Sequence, residues 1–167
     1  MQKKVLSETA LYYGDLKMPK GFEINSTKLC EDIFKYIFSN GNFNFSIEWE
    51  KLNNYIKDFF SLKNKILLID KYSRGNIYYP NQTSKPIFDV NPVDLKNSPD
   101  FTMLYGAHTK DCYVKIYYDD NRRKGRDWTI KLEKNNFIVF PSTNKYIILN
   151  HQKQLLNFIQ TITYESI

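Results

Sequence analysis

The sequence predicts an α+β domain that is mainly β. Closely spaced antiparallel strands form a sandwich or jelly roll, and two N-terminal helices pack on one face. Three observations carry this expectation. Apolar residues recur at helical spacing over 27–39 and again over 46–61. From Ile66 onward the period falls to two. After Asp100 the strand-like segments 101–106, 112–118, 128–132, 136–140, 145–149 and 155–164 follow one another with short turns, the spacing of an all-β layer.

The elements follow in order. Residues 4–14 suggest a first strand, closed by Asp15 and the turn signals Pro19 and Gly21. Asn25 or Ser26 can cap the first helix, whose stripe is Leu29, Ile33, Phe34, Ile37 and Phe38, with Gly41 as a stop. Ser46 caps the second, with Glu48 and Glu50 in the first turn, where negative charge suits the helix dipole. Its stripe is Trp49, Leu52, Ile56, Phe59 and Phe60. Residues 66–69 read as a short strand. The segment 70–100 holds Pro80, Pro86, Pro92 and Pro99, and reads as an irregular excursion of the kind that is often functional. Among the strands, Cys112, Val114, Ile116 and Tyr118 share a face, as do Trp128, Ile130 and Leu132. The whole, 1–167, is expected to be one domain: 1–65 the first strand and helices, 66–100 the excursion, 101–165 the core strands.

Composition agrees. A chain of 167 residues with 42% hydrophobic and 25% charged residues suits one globular domain. The 13 Tyr and 12 Phe favour pleated, half-buried surfaces. No apolar run approaches the roughly 20 residues that span a bilayer, and no apolar leader segment opens the chain. Cys30 and Cys112 are isolated and form no CxxC motif or disulfide framework, so a cytoplasmic setting is expected. With no leader, the sequons at Asn25 and Asn81 carry little weight. The net charge of +6 permits a nucleic-acid partner without requiring one. Lys and Asn are abundant while Ala and Gly are scarce, so part of that charge is compositional. No P-loop, GxSxG, HExxH or dinucleotide fingerprint occurs.

Phe140-Pro141-Ser142, then Tyr146-Ile147-Ile148, then Leu156-Asn157-Phe158-Ile159-Gln160 resemble the C-terminal half of small iron(II)/2-oxoglutarate oxygenases, relatives of the prolyl hydroxylases. The strand from Cys112 resembles the one that follows that family's His-x-Asp or His-x-His pair. This likeness covers residues 101–165 and implies a double-stranded β-helix. In its register the first metal ligand falls near Gly106, the second at His108 and the distal His at Tyr146. The co-substrate cation falls at Lys153, or is an arginine of the segment 122–126. Tyr12-Tyr13-Gly14-Asp15 and the segment 118–123 also resemble parts of uncharacterised marine cyanophage proteins, which implies a phage accessory protein in the host cytoplasm.

The site candidates follow. A non-haem iron site needs two His and one carboxylate on one face. His108, Asp111 and His151 would have to form it, because the chain has only two His. The plainer alternative is a loop His with a hydrogen-bonded neighbour and a surface His at a strand end. Arg122, Arg123, Lys124 and Arg126 follow Asp119 and Asp120. They read either as a solvated hairpin tip or as an anion or nucleic-acid contact, with Tyr117, Tyr118 or Trp128 for stacking. The solvated hairpin is favoured. Tyr12, Tyr13, Tyr78 and Tyr79 could line a groove, although such rings more often pack in a core. The sequence therefore leads to a jelly roll with a degenerate metal site, a binding or structural role, a protein or anionic partner and no cofactor. The alternative is an active oxygenase with Fe(II) and 2-oxoglutarate, hydroxylating a protein or a small molecule.

Overall fold

The structure, a computed structural model, describes residues 10–40, 45–119 and 125–167. Its elements are β1 (Tyr12–Asp15), α1 (Ser26–Phe38), α2 (Ile47–Asn64), β2 (Leu68–Tyr78), β3 (Phe101–His108), β4 (Cys112–Asp119), β5 (Arg126–Lys131), β6 (Asn136–Pro141), β7 (Lys145–Asn150) and β8 (Asn157–Ser166).

Both helices start where side chains cap them. The Asn25 side chain accepts from the Lys28 N–H and Ser46 Oγ from the Trp49 N–H. Each bond satisfies a backbone donor that a helix start leaves open. Ser46 also donates to Asp32, which ties the start of α2 to α1.

The strands form two antiparallel sheets, with order β1-β6-β3-β8-β2 in the larger and β5-β4-β7 in the smaller. Strand alternation then splits the core in two. Met103, Tyr105, Val139, Ile162 and Tyr164 face the helices and pack against Leu29, Ile33, Leu52, Ile56 and Phe60. Their neighbours Leu104, Ile138, Phe140 and Ile159 face the other way and meet Val114, Ile116, Tyr146 and Ile148 of the smaller sheet. Each such buried side chain contributes on the order of 1.5–3 kcal/mol. The result is the expected jelly roll, mainly β, with both helices on one face. Among the described residues no helix is long and apolar enough to cross a membrane.

One expectation changes. Of the segment 66–69 only Leu68 and Ile69 are strand, and they merely open β2, whose eleven residues pair with β8 from Leu68↔Ser166 to Tyr78↔Asn157. The polar residues Asp70, Lys71, Ser73, Arg74 and Asn76 hid it, and a register shift between Asp70 and Tyr72 breaks the alternation. A Cβ on Gly75 would stand 2.8 Å from Ile33 Cα, so α1 crosses β2 where there is no side chain. The irregular excursion thus begins after Tyr78. It runs along the free edge of β7, bridging Thr83 to Leu149 and Ile87 to Tyr146.

Candidate functional site

That edge contact brings Asp89 under the smaller sheet. Ile87 and Tyr146 exchange backbone hydrogen bonds of 2.8 and 3.1 Å, and two residues later the Asp89 side chain is 5% exposed. Arg74 reaches it from β2. Its Nη2 donates to Asp89 Oδ1 and to Tyr146 Oη, both at 2.7 Å. Tyr146 Oη donates in turn to Asp89 Oδ2 at 3.3 Å, and Thr102 Oγ1 donates to the same oxygen at 2.8 Å. Thr102 therefore accepts from Ser142 Oγ at 2.9 Å. Four strands or their ends and the excursion thus meet in one closed polar network.

Its electrostatics are self-contained. Burial opposes the charge on Arg74, but Tyr146 and Asp89 beside it offset this and hold its pKa above the ordinary value. Burial pushes the Tyr146 phenol far above the usual tyrosine range, against the pull of Arg74. The phenol stays protonated and donates. Both Asp89 oxygens are occupied.

The residues expected to bind metal lie elsewhere. Cys112 pairs with Asn150 and Tyr117 with Lys145, so Asp111 and His151 sit beyond one end of the β4–β7 ladder and Tyr146 near the other. His108 ends β3, exposed. Asp111 has φ 47° in the turn that follows, and its carboxylate accepts from Gln152 Nε2 at 2.7 Å. The His151 ring packs on Tyr113, centroids 5.1 Å apart. Among the described residues, no three His, Cys, Asp or Glu side chains form a metal-holding group. The trio His108, Asp111 and His151 is therefore not assembled, because each side chain is drawn to a different neighbour or to solvent. Gly106 is fixed by packing: a Cβ there would collide with the Glu133 carbonyl and stand 2.6 Å from Thr109 Oγ1. Lys153 lies exposed in the bend between β7 and β8. Arg122, Arg123 and Lys124 lie outside the described residues, and Arg126 is exposed at the start of β5.

Of the positions the resemblance singled out, Tyr146 is the one that reaches the buried network. Sequence reasoning missed Arg74 and Asp89. The length of the excursion was their one available signal.

No family profile matches the chain, and no curated protein matches it in sequence. Solved structures match it in fold. A prolyl-4-hydroxylase of Pseudomonas putida superposes with a TM-score of 0.66 at 8% identity, over 94% of this chain and 88% of that one. SnoN from nogalamycin biosynthesis, a non-heme alpha ketoglutarate dependent epimerase, gives 0.65 at 7% identity, over 93% and 77%. The viral collagen prolyl hydroxylase vCPH of Paramecium bursaria Chlorella virus-1, in its 2OG complex, gives 0.59 at 14% identity, over 93% and 96%. The fold is that of the 2-oxoglutarate oxygenases, and the likeness extends from 101–165 to nearly the whole chain.

The same comparison corrects the expectation that no cofactor is involved. Solved proteins of this fold include alpha ketoglutarate dependent and 2OG-Fe(II) enzymes, so Fe(II) and 2-oxoglutarate are the cofactors of its structural neighbours. The donors described at the buried network do not match an iron(II) triad. They comprise one carboxylate already accepting three bonds, a protonated phenol and no imidazole.

Proposed function

We propose that this chain is a binding protein built on the oxygenase jelly roll, with a degenerate interior centre that braces the two sheets. The Arg74–Asp89–Tyr146 network carries this reading. At the position the resemblance gives to the distal metal ligand, a tyrosine hydroxyl holds a guanidinium and a carboxylate at hydrogen-bond distance. A network whose donors and acceptors satisfy one another rigidifies the core. It leaves recognition to the surface around it. Fold alone does not assign chemistry.

The fold likeness favours a second reading, an oxygenase using Fe(II) and 2-oxoglutarate to hydroxylate a protein or a small molecule. There Asp89 is the carboxylate and Arg74 the cation that the interior offers. Fe(II) with 2-oxoglutarate and dioxygen would together supply oxidation of a substrate C–H bond, the 2-oxoglutarate leaving as succinate and carbon dioxide. One assay separates the readings. Purified protein is incubated with Fe(II), ascorbate and 2-oxoglutarate, and succinate is measured. The binding reading predicts the same background for the wild type and Asp89→Ala. Succinate formed by the wild type and lost in Asp89→Ala would establish the oxygenase.

A further inference from the structure

The two sheets leave a seam on the side where β1 edges the larger and β5 the smaller. A cavity of 360 Å³ opens there, lined by Leu11, Tyr13, Ile116, Tyr118, Trp128 and Asn144. A second, of 310 Å³, continues past Tyr118 and Asn144 to Phe88, Tyr117 and Lys145. Together they make one trough. Its floor residue Ile116 is the cross-strand partner of Tyr146, one step from the buried network.

The trough is lined with exposed rings. Tyr13 is 61% exposed, Tyr118 53% and Trp128 38%. Tyr13 and Trp128 meet edge to face across the seam, centroids 5.5 Å apart, which leaves flat ring surface toward solvent. Contiguous exposed apolar surface of this kind marks an interaction site. Cations sit among the rings. Lys145 Nζ lies 5.7 Å from the Phe88 ring centre and Lys115 Nζ 5.5 Å from that of Tyr117. Asp127 offsets Lys115 at 3.5 Å. Lys145, which lines the second cavity, adds positive charge to the rim, and the chain as a whole carries a net charge of +6.

We propose that this trough binds single-stranded nucleic acid, a proposal that rests on the binding reading above and names its partner. A proline-rich peptide would use the rings but not the cations. A simple polyanion would use the cations but not the rings. Single strands present phosphates and unpaired planar bases together, which is the combination that aromatic, positively charged grooves recognise. Base pairing would bury the faces that Tyr118 and Trp128 offer to stack upon.

Fluorescence anisotropy of a labelled twelve-nucleotide oligothymidine tests this on the full chain. Binding is expected, with duplex of equal length weaker. Trp128→Ala and Tyr118→Ala should each weaken it about five- to hundredfold, while Trp128→Phe, which keeps a ring, retains most of it. Lys145→Ala should reduce the salt slope by about 0.7, the value of one single-strand phosphate contact. Near-identical circular dichroism of the variants would show that they are folded. Absence of binding overturns the proposal. So does binding indifferent to Trp128→Ala, equal competition by polyphosphate, or capture of a proline-rich peptide in its place. The succinate assay keeps the two readings apart. No succinate and no oligonucleotide binding sinks the nucleic-acid partner alone. Succinate made only when oligonucleotide is present keeps that partner and sinks the binding-only reading.

Discussion

Removing Asp89 should cost this fold more than any surface ion pair would. The Asp89 side chain is 5% exposed and that of Arg74 28%. Breaking a buried pair by deleting one partner costs about 3–5 kcal/mol, chiefly because the other charge stays behind unpaired. The partial exposure of the guanidinium lets water reach it and places Asp89→Ala near the lower end, about 3 kcal/mol. For a chain of this size about 1 kcal/mol shifts Tm by 2–4 °C, so a fall of about 6–12 °C is expected. Arg74→Met leaves Asp89 with the Thr102 and Tyr146 donors and should cost less. The two side chains share one network, so their effects should not add. The double variant should be more stable than the sum of the singles by about 1 kcal/mol or more. Urea unfolding followed by circular dichroism measures all four corners of this cycle. Additive singles, or an Asp89→Ala midpoint equal to that of the wild type, would refute the claim that this network braces the sheets.

Three further outcomes follow from the packing. Gly106→Ala places a methyl against the Glu133 carbonyl, so thermal melting should show a loss of about 1–3 kcal/mol, and an unchanged Tm would contradict the close approach. Burial pushes the Tyr78 phenol from 10.0 up to about 12, and Tyr105, Tyr146 and Tyr164 are raised for the same first reason. Because the folded values lie above the unfolded ones, this stability is fully present below about pH 10. It is lost as pH rises through the folded values. The urea midpoint should therefore hold from neutral pH to about 9.5 and then fall steeply, and a midpoint constant to pH 12 would contradict it. Burial also raises the Cys112 thiol to about 12, so an aromatic disulfide reagent at pH 8 should leave it unmodified until the chain is unfolded; mass mapping of the native protein checks this.

The helices were legible because their signals are local. Asn25 and Ser46 cap within three residues, and the Leu29 and Leu52 stripes need only the helical period. Strands β3 to β8 were legible as short runs between turn signals: β4 alternates, as in Cys112, Val114 and Ile116, whereas β3 buries both faces and reads as a continuous apolar run, as in Met103, Leu104 and Tyr105. Strand β2 was not, since its polar residues are accommodated by contacts that sequence spacing does not encode, such as Asn53 and Lys57 reaching Asp70 from α2. The centre was legible at one point. Tyr146 fell at a ligand position by resemblance, but Asp89 reaches it only because the excursion pairs with β7. Arg74 lies 72 residues from Tyr146 in sequence. His108 attracted notice by residue type, whereas its place at the exposed end of β3 is set by the sheet.

The most direct test is a crystal structure of the protein grown with Fe(II) and 2-oxoglutarate under anaerobic conditions. The account predicts that Arg74 Nη2 still bridges Asp89 Oδ1 and Tyr146 Oη at 2.7 Å each. Arg74 withdrawn from the interior, with Asp89 and Tyr146 parted and turned toward a bound ligand, would contradict it and return the chain to the oxygenases.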